Sequence, residues 1–122
     1  MRISTRLHGG PASARDARRF VNGALAQGTF EHVDDVVVLL TSEVVTNAIL
    51  HARSEIHLAL ELVPGKIRIE VSDASRQPPV RRRAAEDATS GRGLELVEAL
   101  ASDWGTELVP GDGKRVWFEV AA

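Results

Sequence analysis

Three groups of residues in this sequence have types and spacing suited to chemistry. Glu43, Asn47 and His51 recur every four residues within the apolar run from Val33 to Ala52. At about 100° per residue of helix they form one narrow stripe, and the same projection places Val36, Leu40 and Val44 beside them. Burying a carboxylate or an amide without partners costs roughly 2–7 kcal/mol, so something must satisfy the stripe. Either it lies at an edge, with Glu43 in water and Asn47 bonded to backbone, or it lines a ligand cleft. In a cleft, Asn47 offers an amide oxygen to a hard cation such as Mg2+. Glu43, one turn earlier, then polarises a hydroxyl or water beside a phosphate.

Asp73 ends the inward register of Ile67, Ile69 and Val71 in a carboxylate. An Asx turn at a strand end is one reading. The other is an acceptor at the base of a pocket, reading an exocyclic amine such as that of adenine and rejecting analogues that lack the donor. The third group is Ser90-Gly91-Arg92-Gly93-Leu94. Glycines ahead of a helix let backbone approach phosphate oxygens, and the helix N-terminus supplies free N–H groups. A flexible helix entry capped by Ser90 or Thr89 explains the same residues. The segment is not a Walker A loop, because Lys-Ser/Thr does not follow the glycines. Nor is it a dinucleotide fingerprint, because no parallel βαβ unit is expected around it.

The elements that must position these residues follow from periodicity. Ile3 to His8 reads as a short strand, and Pro11 to Gln27 as a helix in which Ala14, Ala17, Phe20, Val21 and Leu25 recur at spacings of three and four. A second helix spans about Val33 to Ala52. Ile56, Leu58, Leu60 and Leu62 alternate with polar or small residues, Pro64-Gly65 turns the chain, and Ile67, Ile69 and Val71 return it. Ala74 to Ser90 reads as a long polar loop, Gly91 to about Ala101 as a short helix, and Thr106–Val109 and Arg115–Val120 as strands. The order βααββαββ predicts an α/β (α+β) two-layer sandwich, a mostly antiparallel mixed sheet covered on one face by about three helices.

Composition narrows the function. A chain of 122 residues suits one domain, 1–122, with a single core. A net charge of −2 and a pI near 6.1 argue against a general nucleic-acid or membrane-surface binder. Without cysteine there are no disulfides, thiolate zinc sites or cysteine nucleophiles. No apolar run is long enough to span a bilayer, and Met1 to Arg6 leads into no signal-peptide core, so a cytoplasmic protein is expected. Lysine occurs only at positions 66 and 114; the other basic residues are 13 arginines. Arg81-Arg82-Arg83 reads either as a clamp for phosphate or an acidic partner, or as a solvated run balanced by Glu86-Asp87. Trp104 and Trp117 read as core or interface filler.

The order of these groups resembles the GHKL (histidine kinase-like) ATPases. Thr41 to Ala52 resembles their N-box, Val71-Ser72-Asp73 stands where they carry an adenine-reading aspartate, and Gly91 to Val97 is similar to their second glycine box. The ending Gly113 to Val120 is similar to the last strand of short bacterial members. Within that superfamily the chain is most similar to anti-sigma factor serine/threonine kinases and to small streptomycete-type ATP-binding regulators. The resemblance implies ATP and Mg2+ as cofactors, with Asn47 as metal ligand and Glu43 as catalytic carboxylate. Asp73 would bind adenine, and Gly91, Arg92, Gly93 and Leu94 would border the phosphates, under a lid formed by Ala74 to Ser90. It implies a sigma factor or an anti-anti-sigma (STAS-type) protein as partner, with a dimeric form holding the sigma factor. The chain departs from the pattern in two places. Asp73 is followed by Ala74-Ser75-Arg76-Gln77 instead of the usual glycines, which stiffens the lid hinge. Lys114 stands where the anti-sigma kinases often carry a threonine near the adenine. ATP binding without phosphotransfer, by a module that sequesters its partner, is the alternative these departures leave open.

Overall fold

Alternating apolar residues form the strands of this protein, and a nearly all-apolar stretch forms its central helix. The computed structural model describes residues 1–26, 33–52, 55–73, 92–109 and 113–122. Along the chain these form β1 (Arg2–Leu7), α1 (Ser13–Leu25), α2 (Asp34–Ala52), β2 (Ile56–Val63), β3 (Lys66–Asp73), α3 (Arg92–Leu100), β4 (Asp103–Val109) and β5 (Gly113–Ala121). The element order is the one periodicity predicts.

The strands make one five-stranded sheet in the order β1-β2-β3-β5-β4. All its pairings are antiparallel, where the sequence pattern allowed a mixed sheet. β3 and β4 do run parallel, as the α3 crossover demands, but β5 inserts between them and removes the parallel pair. Leu58 faces Val71, Leu60 faces Ile69 and Leu62 faces Ile67, so one face of the β2–β3 hairpin is continuously apolar. Its turn is Pro64-Gly65. Proline fixes φ at the first position, and Gly65 takes φ +82° at the second, as a type II turn requires.

Helix α2 lies between α1, α3 and strands β2 and β3. A helix covered on several sides needs no polar stripe, and Val37, Leu40, Val44, Val45 and Ala48 are all buried. They meet Val21 and Leu25 of α1, Leu94 and Val97 of α3, and the inward row Ile69, Val71, Phe118 of the sheet in one core. Burying each such large side chain contributes about 1.5–3 kcal/mol. Thr41 sits inside this layer and satisfies its hydroxyl by donating to the Val37 carbonyl at 2.7 Å.

Several boundaries shift by one to three residues from the periodic reading, β5 for example beginning at Gly113 and not Arg115, and two of the shifts have a visible physical cause. Helix α1 starts at Ser13, whose Oγ accepts from the Gly9 amide at 3.0 Å, and not at Pro11. Strand β4 begins at Asp103, three residues before the predicted start, with Trp104 opposite Phe118 and Gly105 opposite Trp117. The glycine interrupts the strand pattern. It is there because a Cβ on Gly105 would stand 2.8 Å from the Trp117 indole nitrogen. Among the described residues, no helix is long and apolar enough to cross a membrane.

Candidate functional site

Among the described residues, Ser13, Thr41, Asn47, Asp73 and Lys114 are the polar ones that are buried. Ser13 and Thr41 bond to backbone within four residues of themselves. Of the other three, Asn47 of α2 and Asp73 of β3 belong to groups that the sequence singles out for chemistry, and Lys114 lies on β5.

Asn47 lies in the last third of α2 and is only 5% exposed. Its predicted inward placement is therefore observed. Glu43, one turn earlier, is half-buried, so it combines the core-facing stripe with partial access to water. Beside it, Ser42 Oγ accepts a hydrogen bond from Arg18 Nη1 at 3.0 Å, which fixes α2 against α1 at this level. The side chain of His51 lies outside the described residues.

Asp73 closes the inner row of β3, and the antiparallel register sets Lys114 of β5 directly opposite. Both side chains are 2% exposed, and Lys114 Nζ stands 4.0 Å from Asp73 Oδ2. Burial pulls the Lys114 ammonium below its ordinary pKa, and the Asp73 carboxylate offsets only part of that pull. The Asp73 carboxylate thus belongs to the interior, beside a lysine, and the residues that an Asx turn would involve lie outside the described residues. The pairing was legible in outline, because Lys114 alternates with Val116, Phe118 and Val120 and so must point inward. What the sequence alone did not give was the register that puts it across from Asp73.

The third predicted group is described in part. Helix α3 begins at Arg92, and Leu94 and Val97 anchor it in the core. Gly91, the loop Ala74 to Ser90 and the Arg81-Arg82-Arg83 run lie outside the described residues, as do the side-chain surroundings of Arg92 and Gly93. Trp104 packs on the core as expected. Trp117 instead lies on the outer face of the sheet, with the Arg68 guanidinium 4.2 Å over its ring.

The sequence pattern of the histidine kinase-like ATPase domain matches residues 8–119. The chain belongs to the histidine kinase-like ATPase family. Comparison with curated proteins yields no match. The match runs from just after β1 into β5 and assigns the fold and an ATP-binding regulatory role to the domain.

The residues present fit a nucleotide by the chemistry of their donors. A buried amide on α2 and a buried carboxylate on β3 are polar groups that an aliphatic interior does not need, and each suits a different part of ATP. Among the described residues, no cluster of three or more His, Asp or Glu side chains could hold a metal. Magnesium carried in on phosphates needs only one or two protein oxygens, and the Asn47 amide oxygen is of the kind that would hold it.

Proposed function

We propose that this histidine kinase-like ATPase domain is an ATP- and Mg2+-dependent protein serine/threonine kinase that acts as an anti-sigma switch, phosphorylating a STAS-type anti-anti-sigma protein. The observation that supports this reading is the inward placement of Asn47 and Asp73 on the facing elements α2 and β3, in a layer whose other buried polar groups, among the described residues of those elements and β5, are Thr41 and Lys114. Asp73 accepts from the adenine amine. Asn47 holds the ion, and Gly91, Arg92, Gly93 and Leu94 line the phosphates. Bound magnesium would neutralise phosphate charge for in-line transfer, a reaction that needs positioning more than covalent help. Glu43, half-exposed one turn from Asn47, accepts the proton of the incoming serine hydroxyl as the phosphoryl group passes to its oxygen and ADP leaves. Sigma-factor binding by a homodimer completes the proposed switch.

Incubation with radiolabelled ATP, magnesium and a STAS-type partner tests the reading. Label should pass to the partner with wild type, fall by at least about a hundredfold with Asn47→Ala, and fall comparably with Glu43→Gln. Equal transfer by wild type and Asn47→Ala would show that the roles are misassigned. A second reading, partner sequestration without transfer, draws on Ala74-Ser75-Arg76-Gln77 standing in place of the glycine-rich hinge. Calorimetry distinguishes it: tight ATP binding with no label transfer to any partner favours the sequestering module.

A further inference from the structure

Asp73 and Lys114 present opposite charges to one spot on the inner face of the sheet. Lys114 Nζ and Asp73 Oδ2 are 4.0 Å apart, beyond hydrogen-bond reach, so the pair balances charge without a direct hydrogen bond between those atoms. Such an arrangement is expensive. A buried ion pair is often no more stable than an apolar pair of the same volume, so its presence asks for a use other than stability. Valine, phenylalanine and isoleucine fill the neighbouring inward positions of both strands without difficulty.

The chemistry of the two ends suggests the use. A carboxylate only accepts hydrogen bonds, and an ammonium only donates them. Side by side they complement a planar edge on which a donor adjoins an acceptor. The six-membered ring of adenine has that edge, with the exocyclic amine as donor and the adjoining ring nitrogen N1 as acceptor. We propose that Lys114 is a specificity-determining residue which donates to adenine N1 while Asp73 accepts from the adenine amine. This rests on the reading of Asp73 given above, and adds a second, cationic reader specific to this chain. A buried ammonium whose partner is lost is left uncompensated, so a base lacking the N1 acceptor is rejected actively and not merely bound less well.

The test compares ATP with its 1-deaza analogue, in which a C–H replaces N1, by calorimetry on the full chain with magnesium. Wild type should bind ATP at least about tenfold more tightly than 1-deaza-ATP, the size expected for a hydrogen bond to a charged donor. Lys114→Met should weaken ATP binding and abolish the preference. Lys114→Gln, which keeps an N–H donor and tolerates burial better, should retain part of it. Equal affinity of wild type for the two nucleotides overturns the proposal without any variant, as does GTP binding as tightly as ATP. A preference that survives in folded Lys114→Met also overturns it, while leaving Asp73 as the adenine reader. Absence of ATP binding by wild type is a separate outcome, and removes the reading of the whole site along with this one.

Discussion

The two faces of the sheet use the same residue types under opposite conditions. On the outer face, Arg68 donates to Glu70 at 2.9 Å and to Glu119 at 3.1 Å, Arg2 reaches Glu70 at 3.0 Å, and Lys66 reaches Glu119 at 3.2 Å. These groups keep contact with water, and the carboxylates are shared between several cations. On the inner face stands the pair Asp73–Lys114, longer and almost wholly dry. The outer pairs have good geometry and small net worth, typically about 0–1 kcal/mol each, because water competes for every charge. The inner pair has poor mutual geometry and large consequences, because water cannot replace a lost partner there. Short ion pairs are therefore a poor guide to where charge matters in this molecule; burial is the better one.

The largest expected effect breaks the inner pair. Asp73→Ala leaves the Lys114 ammonium buried beside aliphatic neighbours, which costs about 3–5 kcal/mol of folding stability, read as a shift of the urea midpoint. The double variant Asp73→Ala/Lys114→Met should regain most of that loss, since removing both charges removes the desolvation cost with them. A double variant as unstable as the single one would show that Asp73 matters for shape and not for charge, and the contrast between the faces would fail.

The next effect belongs to the outer face, and it is steric. Gly105 lies across from Trp117, and an added methyl group would meet the indole at 2.8–2.9 Å. The ring is pinned on its other side by Arg68, 4.2 Å from its centroid. Gly105→Ala should therefore cost about 1–3 kcal/mol, as over-packing does, and perturb Trp117 fluorescence. Glu119→Gln, which breaks two outer ion pairs at once, should cost less than this single methyl group in the same urea titration. The reverse order would mean that the outer charges act as a network.

Much of this was readable from residue order. The alternation in β2 and β3 specified which side chains face inward, because a strand's faces repeat every two residues. The all-apolar run of α2 specified a covered helix, and the inward phase of Asn47 and Asp73 followed from both. Two kinds of information were missing. Trp117 reads as core or interface filler by its size alone; its phase, opposite to Val116 and Phe118, puts it outside. The partnership of Asp73 with Lys114 is a property of register between strands separated by α3 and β4. Local periodicity carries no information about how far one strand slides along another. The start of β4 was missed for a related reason, since Gly105 makes sense only beside Trp117.

The faintest effect is one of sign, and it separates the faces by pH. Burial works against ionisation of Glu70 and Glu119, but hydrogen bonds from Arg2 and Arg68 to the first, and from Arg68 and Lys66 to the second, outweigh it. Both carboxyls therefore lie below the ordinary 4.5. Their stabilisation is complete above the unfolded value and is lost as pH falls through the lowered folded values. Lys114 behaves oppositely. Burial, only partly offset by Asp73, sets its folded pKa below 10.5. As pH rises through that lowered value the folded chain releases the proton first, the unfolded chain holds more protons, and stability increases up to about 10.5. The chain contains no tyrosine or cysteine, so few other groups titrate in that range. Urea midpoints measured across both windows should fall toward acid and rise toward alkali. Glu119→Gln should flatten the acid limb alone and Lys114→Met the alkaline limb alone, with Lys66→Arg as the exposed-lysine control. An alkaline rise that persists in Lys114→Met would assign it to another group and leave the inner face without its distinguishing charge.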